Sequence, residues 1–193
     1  MRVGHRDLLI HNKRLGFLHA INVTHLLGNR HKAMDQPDAA FTRRMGRVCA
    51  VLTADCLPVL LCNDVGTVVV AAHAGWRGLA GGVIEAALRA MNEPPPRLLA
   101  WLGPAIGPQA FEVGAEVRAA FLAHSPDAAA AFVAKENGKW LADLYRLATQ
   151  RLNALGVSRV YGGGRCTFLE ADSFYSYRRE KTTGRMASLI WLE

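Results

Sequence analysis

The sequence predicts an α+β domain in which central mixed β-sheets are flanked by helices in layers, with one β-hairpin that carries a cysteine and a histidine. Three observations lead to this fold class. Apolar runs and amphipathic segments are mixed without the strict alternation of a doubly wound parallel sheet. Two Val- and Leu-rich runs flank the turn signal Asn-Asp-Val-Gly. The 193 residues, 51% of them hydrophobic, suffice for a single domain with its own core.

Strands are expected wherever a short apolar run lies between turn signals. The strands predicted in this way cover residues 47–56, 57–62, 67–72, 97–102, 159–161 and 188–192. A turn at residues 63–66 joins the second and third of them into the hairpin. A Gly- and Pro-rich rigid loop follows the fourth strand at 103–108. Three glycines at 162–164 form a tight turn after the fifth, and they lack the Lys and Ser/Thr of a phosphate-binding P-loop.

Helices are expected where apolar residues recur at helical spacing. These segments are residues 79–91, 116–124 and 140–155. Three consecutive prolines at 94–96 end the first segment, because proline cannot continue a helix, and Gly156 ends the last. Residues 1–36 have only weak periodicity. We therefore expect one domain over residues 1–193, with an atypical N-terminal segment at 1–36.

Composition and charge exclude several classes of function. The net charge is +7 and the pI is near 9.6, which suits an anionic partner. The arginines are scattered and no lysine run is present, so the pattern favours a pocket for a phosphate-bearing small molecule over a nucleic-acid surface. No apolar run approaches the ~20 residues of a membrane-spanning helix, and the N-terminal Leu-Leu-Ile is too short for a signal-peptide core. We expect a cytoplasmic monomer without nucleic-acid or membrane partners.

The four cysteines do not predict a disulfide framework in a chain of this length without an export signal. No C-x-x-C pair is present, which argues against a closed structural zinc site. Along a strand at 47–56, Cys49 and Cys56 have opposite parity and point to opposite faces. Cys49 and Cys62 are then most simply core residues.

Cys56 and His73 lie at equal distances from the hairpin turn. If Asn63 and Gly66 close a symmetric turn, Cys56 and His73 are directly opposite on one face, with Cβ atoms roughly 4.5–5.5 Å apart. A register slip of one residue would put them on opposite faces. A thiolate and an imidazole at that distance can share a metal ion or act as a nucleophile–base couple. The alternative is a buried cysteine and a surface histidine with no joint role.

A metal site needs at least one ligand beyond Cys56 and His73, because catalytic zinc usually has three protein ligands and one open position. Spacing along the chain does not choose among the candidates, which are His19, His25, His31, His124 and Cys166.

Polar residues near the pair complete the candidate site. Asp55 is expected either to form a turn, or to orient a ligand or transfer a proton. Arg77 follows a strand-to-helix connection whose backbone N–H groups form a natural anion site, and its forked guanidinium would hold a phosphate or carboxylate. Arg178 and Arg185 lie in an irregular segment before the last strand, and such loops commonly carry binding groups.

Several motifs of this sequence belong together. They are TADCLPVLL at 53–61, AHAGWRG at 72–78, GPAIGP at 103–108, FEVG at 111–114, and CT at 166–167 followed by FYSYRR and TGRMAS. In combination they closely resemble the bacterial laccase-domain family, also called multicopper polyphenol oxidase-like, whose members are also described as purine nucleoside phosphorylases. The resemblance runs from about residue 38 to the C-terminus.

The resemblance implies a single zinc ion held by two histidines and one cysteine, with Cys56 and His73 as two of these ligands. The family's other histidine lies in a Gln-Val-His-Gly segment upstream of the cysteine. His19 falls at about that distance and is the implied third ligand, with His25 and His31 as alternatives.

The sequence departs from the family pattern near its N-terminus. Phe17 replaces the family's glutamine and Ala20 replaces its glycine, on either side of the implied histidine. Family members usually carry a longer N-terminus, including a Gly- and Arg-containing segment that helps to build the pocket. Residues 1–36 are therefore expected to be a shortened version of that region.

The resemblance implies an enzyme that cleaves adenosine, inosine, guanosine or methylthioadenosine with phosphate, with adenosine deamination as a further activity. The zinc ligands implied by the resemblance are His19, Cys56 and His73. Together with the residue pattern, this leads us to predict Cys56, Asp55 and His73 as catalytic residues and Arg77, Arg178 and Arg185 as substrate- and phosphate-binding residues.

Three alternatives remain open at this point. A polyphenol oxidase that uses Cu²⁺ would need several more histidine ligands. A metal-free hydrolase or amidase, including one that edits cell-wall precursors, would use Cys56 as its nucleophile and His73 as its base. An inactive fragment is the non-enzymatic alternative.

Overall fold

The computed structural model describes residues 38–193, together with the backbone of residues 2–3 and 6–15. Its strands are β1 (Arg2–Val3), β2 (Arg6–Leu15), β3 (Ala39–Thr42), β4 (Val48–Thr53), β5 (Leu57–Asn63), β6 (Val69–Ala74), β7 (Leu98–Leu102), β8 (Glu112–Val113), β9 (Phe132–Ala134), β10 (Trp140–Ala142), β11 (Arg159–Gly162) and β12 (Arg185–Leu192). Its helices are α1 (Trp76–Ala80), α2 (Val83–Met91), α3 (Ala115–Leu122) and α4 (Leu144–Ala154). Turns of 3₁₀ helix at Pro95–Arg97 and Pro126–Ala131 lead into β7 and β9.

Within these described ranges the strands form three sheets. A five-stranded sheet has the order β11-β7-β5-β6-β3, with β11 parallel to β7 and the other pairs antiparallel. A four-stranded antiparallel sheet has the order β1-β2-β12-β4. The third and smallest sheet is β8-β10-β9. The predicted fold class, mixed sheets flanked by helices, is confirmed.

The five-stranded sheet is the middle layer of the molecule, and β5 is buried along its whole length because both faces of the sheet are covered. One face packs against α1, α2 and α4. The other packs against β4 and β12 in a smaller cluster that includes Leu60, Cys62, Val69 and Ala71. Side chains alternate along β6, so His73 lies on the same face as Val69 and Ala71. This face is the one covered by the four-stranded sheet.

The first predicted helix is interrupted in the structure. α1 and α2 are separated by two glycines, and Gly82 has φ +90°, a left-handed conformation that glycine adopts without steric cost. α2 buries Val83, Ile84, Ala87 and Met91, and it ends at Met91 before the prolines as predicted. No helix formed by the described residues is long and apolar enough to cross a lipid bilayer.

The predicted helix at 140–155 begins later than expected. Residues 140–142 form β10, and α4 starts only after Asp143, whose carboxylate accepts a hydrogen bond of 3.0 Å from the backbone N–H of Arg146. Asp143 is therefore the N-cap that starts the helix. The apolar spacing alone did not distinguish the short strand from the first helical turn.

The predicted strand at 47–56 was wrong at its end. β4 stops at Thr53, and Asp55 has φ +88°, so the chain turns before Cys56 instead of continuing in a strand. The parity argument that separated Cys49 from Cys56 therefore does not apply. The core positions expected for Cys49 and Cys62 are confirmed, since their exposed fractions are 4% and 3%.

The hairpin loop is longer than the predicted turn because Asn63 organises it. The buried Asn63 amide donates to Thr67 Oγ1 at 2.7 Å and accepts from the Thr67 backbone N–H at 2.8 Å. These bonds close a loop at residues 64–67, in which Gly66 has φ +64°. The backbone N–H of Asn63 donates to the carbonyl of Val68 across the hairpin at 3.4 Å, while the Asn63 carbonyl accepts from the N–H of Gly66 at 3.2 Å, so the predicted turn at 63–66 is present inside a longer loop.

We expect Asn63→Ala to lower the free energy of unfolding by about 1–3 kcal/mol, because it leaves the backbone N–H of Thr67 without its buried acceptor. Thr67→Val removes only the hydroxyl and should cost about 0.5–1.5 kcal/mol. Urea denaturation of the two variants beside the wild type measures both values. An Asn63→Ala variant as stable as the wild type would contradict this account of the loop.

Candidate metal site

The end of the hairpin opposite its loop brings the predicted pair together. The register of β5 and β6 pairs His73 with Pro58, so the expected direct opposition of Cys56 and His73 was wrong. Cys56 precedes Pro58 by two residues and therefore lies on the same face as His73, in a diagonal position. The longer loop moved the register by an even number of residues, which preserves the shared face.

Gly75 shows how close the two side chains are. A Cβ atom built on Gly75 would lie 2.9 Å from Cys56 Sγ and 3.7 Å from His73 Nε2. Both donor atoms therefore face one small volume, which the absence of a side chain at Gly75 leaves open. Gly75 has φ −60°, so its backbone conformation does not itself require glycine.

His73 Nε2 is buried, and no group among the described residues forms a hydrogen bond with it. A buried polar atom without a partner is costly, and a metal ion is one partner that removes this cost. A thiolate sulfur and an imidazole nitrogen are the donors that zinc prefers. The donor pair therefore fits a metal ion.

The described residues do not complete a metal site. No group of three or more His, Cys, Asp or Glu side chains with metal-binding geometry occurs within residues 38–193. His124 Nε2 lies 3.9 Å from Glu85, and Cys166 Sγ accepts a hydrogen bond from the backbone N–H of Gly107, so neither predicted candidate joins the pair. The other candidates, His19, His25 and His31, lie outside the described residues.

Burial shifts the acid–base properties of the pair. Desolvation raises the pKa of the Cys56 thiol and lowers the pKa of the His73 imidazole, since burial disfavours the charged form of each. Asp55 and Asp38 raise the pKa of the thiol further, and Arg185 lowers it. At His73 the Asp38 carboxylate raises the pKa and Arg185 lowers it. Without a cation the site holds a neutral thiol and a neutral imidazole, and a bound metal would be needed to form the thiolate.

Asp55 occupies the bend between β4 and β5 and is buried there. Its Oδ1 accepts a hydrogen bond of 2.7 Å from the Thr167 hydroxyl, and its Oδ2 accepts one of 2.6 Å from the backbone N–H of Arg178. Its carbonyl oxygen accepts a further bond of 2.9 Å from Ile106. The bend that carries Cys56 is thus attached to the loop after β7, which contains Ile106, and to the irregular segment before β12, which contains Thr167 and Arg178.

Those loops are in turn fixed to the rest of the fold. The Tyr145 hydroxyl of α4 accepts from the backbone N–H of Ala105 and donates to the carbonyl of Arg165, each at 2.8 Å. Burial raises the pKa of Tyr145 to about 12, so the hydroxyl remains a donor. The Arg179 guanidinium donates to three backbone carbonyls of the segment 167–174. The loops around the pair are therefore held by buried hydrogen bonds.

The three predicted arginines have different surroundings. Arg185 is the one whose charge acts on both Cys56 and His73. The Arg178 guanidinium donates to the carbonyl of Glu112 at 3.0 Å, so only its backbone N–H contacts the loop of Asp55. Arg77 is exposed, its guanidinium lies 4.4 Å from the centroid of the Trp76 ring, and it lines a separate cavity of about 610 Å³.

Sequence reasoning missed three contributors to this site. Thr167 is fully buried beside Asp55, the carbonyl oxygen of Asp38 accepts a hydrogen bond from the backbone N–H of His73, and Gly75 leaves space at the donor pair. Thr167 was visible only as part of a motif, and Asp38 lies at the start of the resemblance. No spacing rule links either residue to Cys56, because the contacts join distant parts of the chain.

A sequence model of the family described as multi-copper polyphenol oxidoreductase laccase matches residues 7–193. The chain belongs to this family. The resemblance drawn from the TADC and HAGWRG motifs is therefore confirmed. Membership in the laccase family is compatible with a metal ion at this site and does not distinguish zinc from copper.

The chain is also similar to individual members of the laccase family. It is 55% identical over 175 residues to "Purine nucleoside phosphorylase YfiH" of Escherichia coli, an alignment that covers 91% of this chain and 71% of that protein. It is 57% identical over 157 residues to "Purine nucleoside phosphorylase PA4543" of Pseudomonas aeruginosa, covering 81% of this chain and 65% of that one. The crystal structure of Neisseria meningitidis protein NMB0706 superposes with a TM-score of 0.79 at 57% identity, covering 81% and 64% of the two chains. The chain thus spans about two thirds of the length of these relatives.

We expect Gly75→Ala to weaken metal binding at least tenfold, because the new Cβ would displace Cys56 Sγ from a distance of 2.9 Å. Gly114→Ala is a matched control, since Gly114 also precedes a helix in an extended conformation and its Cβ would meet only the end of the exposed Glu116 side chain. Competition with a chromogenic zinc chelator measures both affinities. Equal affinity in the two variants would show that Gly75 does not shape the donor pair.

Arg185→Gln should move the pH at which half of the sites are loaded with zinc downward. The Arg185 charge acts on both Cys56 and His73, and a dication held between them feels about twice the repulsion that the displaced thiol proton feels, so loss of this charge favours zinc over the proton. Asp38→Asn removes a negative charge that acts on the same two groups, so it should move the midpoint upward. Zinc retained against a fixed chelator concentration across a pH series gives both midpoints. Shifts of the same sign in the two variants would refute this electrostatic account.

Proposed function

We propose that this chain is a zinc-dependent purine nucleoside phosphorylase that acts on adenosine, inosine, guanosine and methylthioadenosine. One observation carries the proposal: a cysteine sulfur and an unpartnered histidine nitrogen face one volume, within a family whose relatives at 55–57% identity are named purine nucleoside phosphorylases. The substrates are small molecules. Adenosine deamination is proposed as a second activity of the same site.

The reaction defines what the site has to supply. An oxygen of inorganic phosphate bonds to C1′ of the ribose as the bond between C1′ and the purine nitrogen breaks, and the bonding electrons and a proton go to the base. Phosphate brings negative charge into the site, and negative charge also develops on the departing base until the proton neutralises it; the sugar phosphate keeps the phosphate charge. A cation close to the donor pair therefore favours both the binding of phosphate and the departure of the base.

Cys56 and His73 are proposed as two ligands of the zinc ion, with His19 as the third. When bound, zinc would supply Lewis-acid stabilisation of negative charge on a reacting oxygen or on the departing base. Arg185 is the proposed phosphate-holding residue, since its positive charge acts on the pair. Arg178 and Arg77 have weaker support, because the Arg178 side chain reaches Glu112 and Arg77 lines another cavity.

A metal-free cysteine hydrolase is less well supported by the surroundings of the pair. A nucleophilic cysteine needs an electropositive environment that stabilises its thiolate. Burial and the two nearby carboxylates instead raise the pKa of the Cys56 thiol. Burial also lowers the pKa of His73, which disfavours a thiolate–imidazolium couple.

A copper-dependent polyphenol oxidase is the second candidate, favoured by the family's description. Several copper ions need many histidine ligands. Among residues 38–193 the histidines are His73 and His124, and His124 lies beside Glu85, away from Cys56. The donor set therefore supports one metal ion better than a group of copper ions.

Cys56→Ser tests the proposal directly. We expect loss of bound zinc, and a fall in phosphate-dependent base release from inosine that exceeds the ~10–100-fold cost of losing an outer partner of a metal ligand. Zinc per chain is measured by elemental analysis, and base release by chromatography with and without phosphate.

Cys49→Ala is the control, because Cys49 is buried between the sheets and has no role in the site. Undiminished zinc and turnover in Cys56→Ser would reject Cys56 as a ligand. Turnover that resists chelators but is abolished by iodoacetamide would favour the metal-free hydrolase. Copper-dependent oxidation of phenols without nucleoside cleavage would favour the oxidase, and no turnover of any kind by the zinc-loaded chain would favour an inactive fragment.

A further inference from the structure

We propose that Thr167 is a positioning residue for the metal site and acts through Asp55. The buried hydrogen bond from the Thr167 hydroxyl to the Asp55 carboxylate orients the Cys56 side chain toward the cation. We call this bond the Asp55–Thr167 clamp. The inference rests on the proposed cation site at Cys56 and His73, and it assigns a role to a residue whose hydroxyl bonds to Asp55 and to neither of these side chains.

The first step is the position of Asp55 in the chain. It immediately precedes Cys56, and its φ of +88° reverses the chain between β4 and β5. Few residues other than glycine adopt this region, although Asp and Asn do so more often than most. Such a conformation persists only where the surroundings impose it. The direction of the Cys56 side chain therefore depends on what holds Asp55.

The second step is what holds Asp55. Both carboxylate oxygens accept hydrogen bonds, from the Thr167 hydroxyl at 2.7 Å and from the Arg178 backbone N–H at 2.6 Å, and the carbonyl oxygen accepts from Ile106. With both oxygens occupied by the protein, the carboxylate is directed at its own loops. The geometry of the Asp55 carboxylate therefore fits a role in orienting Cys56 better than a role in transferring a proton to a substrate.

The third step is the rigidity of Thr167. Its side chain is fully buried, its backbone N–H donates to Ala105 at 3.0 Å, and its carbonyl accepts from Arg179 at 2.8 Å. Every polar group of Thr167 is therefore used, and its hydroxyl has a defined place. A hydroxyl held in this way is a fixed anchor for the carboxylate, in the manner of the outer partners that orient metal ligands.

The experiment uses Co²⁺ as the probe, because a cobalt–thiolate bond gives a charge-transfer absorption that reports directly on Cys56. We expect Thr167→Val to weaken Co²⁺ binding about 10–100-fold, with a weaker thiolate band. Thr167→Ser keeps the hydroxyl and should bind as the wild type does. Thr67→Val is the matched control, since it removes a threonine hydroxyl at the far end of the same hairpin.

Two substitutions at Asp55 keep the test decisive if Thr167→Val does not fold. Asp55→Gly removes the carboxylate while tolerating the positive φ, and it should weaken Co²⁺ binding as Thr167→Val would. Asp55→Asn keeps both bonds, because its oxygen accepts from Arg178 and its amide donates to the Thr167 hydroxyl. It should retain Co²⁺ affinity and the thiolate band.

Each outcome is decisive. Wild-type affinity and an unchanged thiolate band in Thr167→Val, or in Asp55→Gly, would overturn the clamp while leaving the cation site intact. Normal Co²⁺ binding by Asp55→Asn together with loss of kcat and of one limb of its pH profile would overturn the positioning role in favour of proton transfer. Absence of the thiolate band from the wild type would overturn the cation site and the clamp together, whereas wild-type Co²⁺ binding without nucleoside cleavage would reject only the proposed activity.

Discussion

The hydrogen bonds of the Asp55 carboxylate hold one end of this molecule together. They join the bend before β5 to the loops around Thr167 and Arg178, which lie more than a hundred residues later in the chain. Buried bonds to a charged group are stronger than neutral ones, and leaving such a group unpaired is expensive. The positive φ of Asp55 and the place of Cys56 both depend on this arrangement.

The layering of the two large sheets explains the chemistry of the candidate site. Cys56 and His73 lie on the face of the five-stranded sheet that the four-stranded sheet covers, at the end of the hairpin where that cover begins. Burial there favours the neutral forms of the thiol and the imidazole. This suits a pair of metal ligands and does not suit a free thiolate nucleophile. Asp38 and Arg185 bring opposite charges to the same place, and these charges shift the pKa of the Cys56 thiol and of the His73 imidazole in opposite directions.

Much of the fold could be read from local pattern. The hairpin, the strand after the prolines and the last helix all follow from apolar periodicity and from Gly, Pro and Asn signals, and each is present. The errors share a cause. The register depended on the side chain of Asn63, the start of α4 on the Asp143 cap, and the end of β4 on the bend at Asp55. Each is set by a specific side-chain bond or backbone conformation that periodicity does not encode.

The sequence by itself determined the fold class, the family, and the fact that Cys56 and His73 share a hairpin face, because strand parity survives a change of loop length by an even number of residues. Only the tertiary structure decided that the two donors meet diagonally beside Gly75, that Thr167 holds Asp55, and that Arg185 rather than Arg77 acts on the pair. These contacts join segments far apart in the chain. Their geometry results from how the sheets and loops pack, which no local pattern specifies.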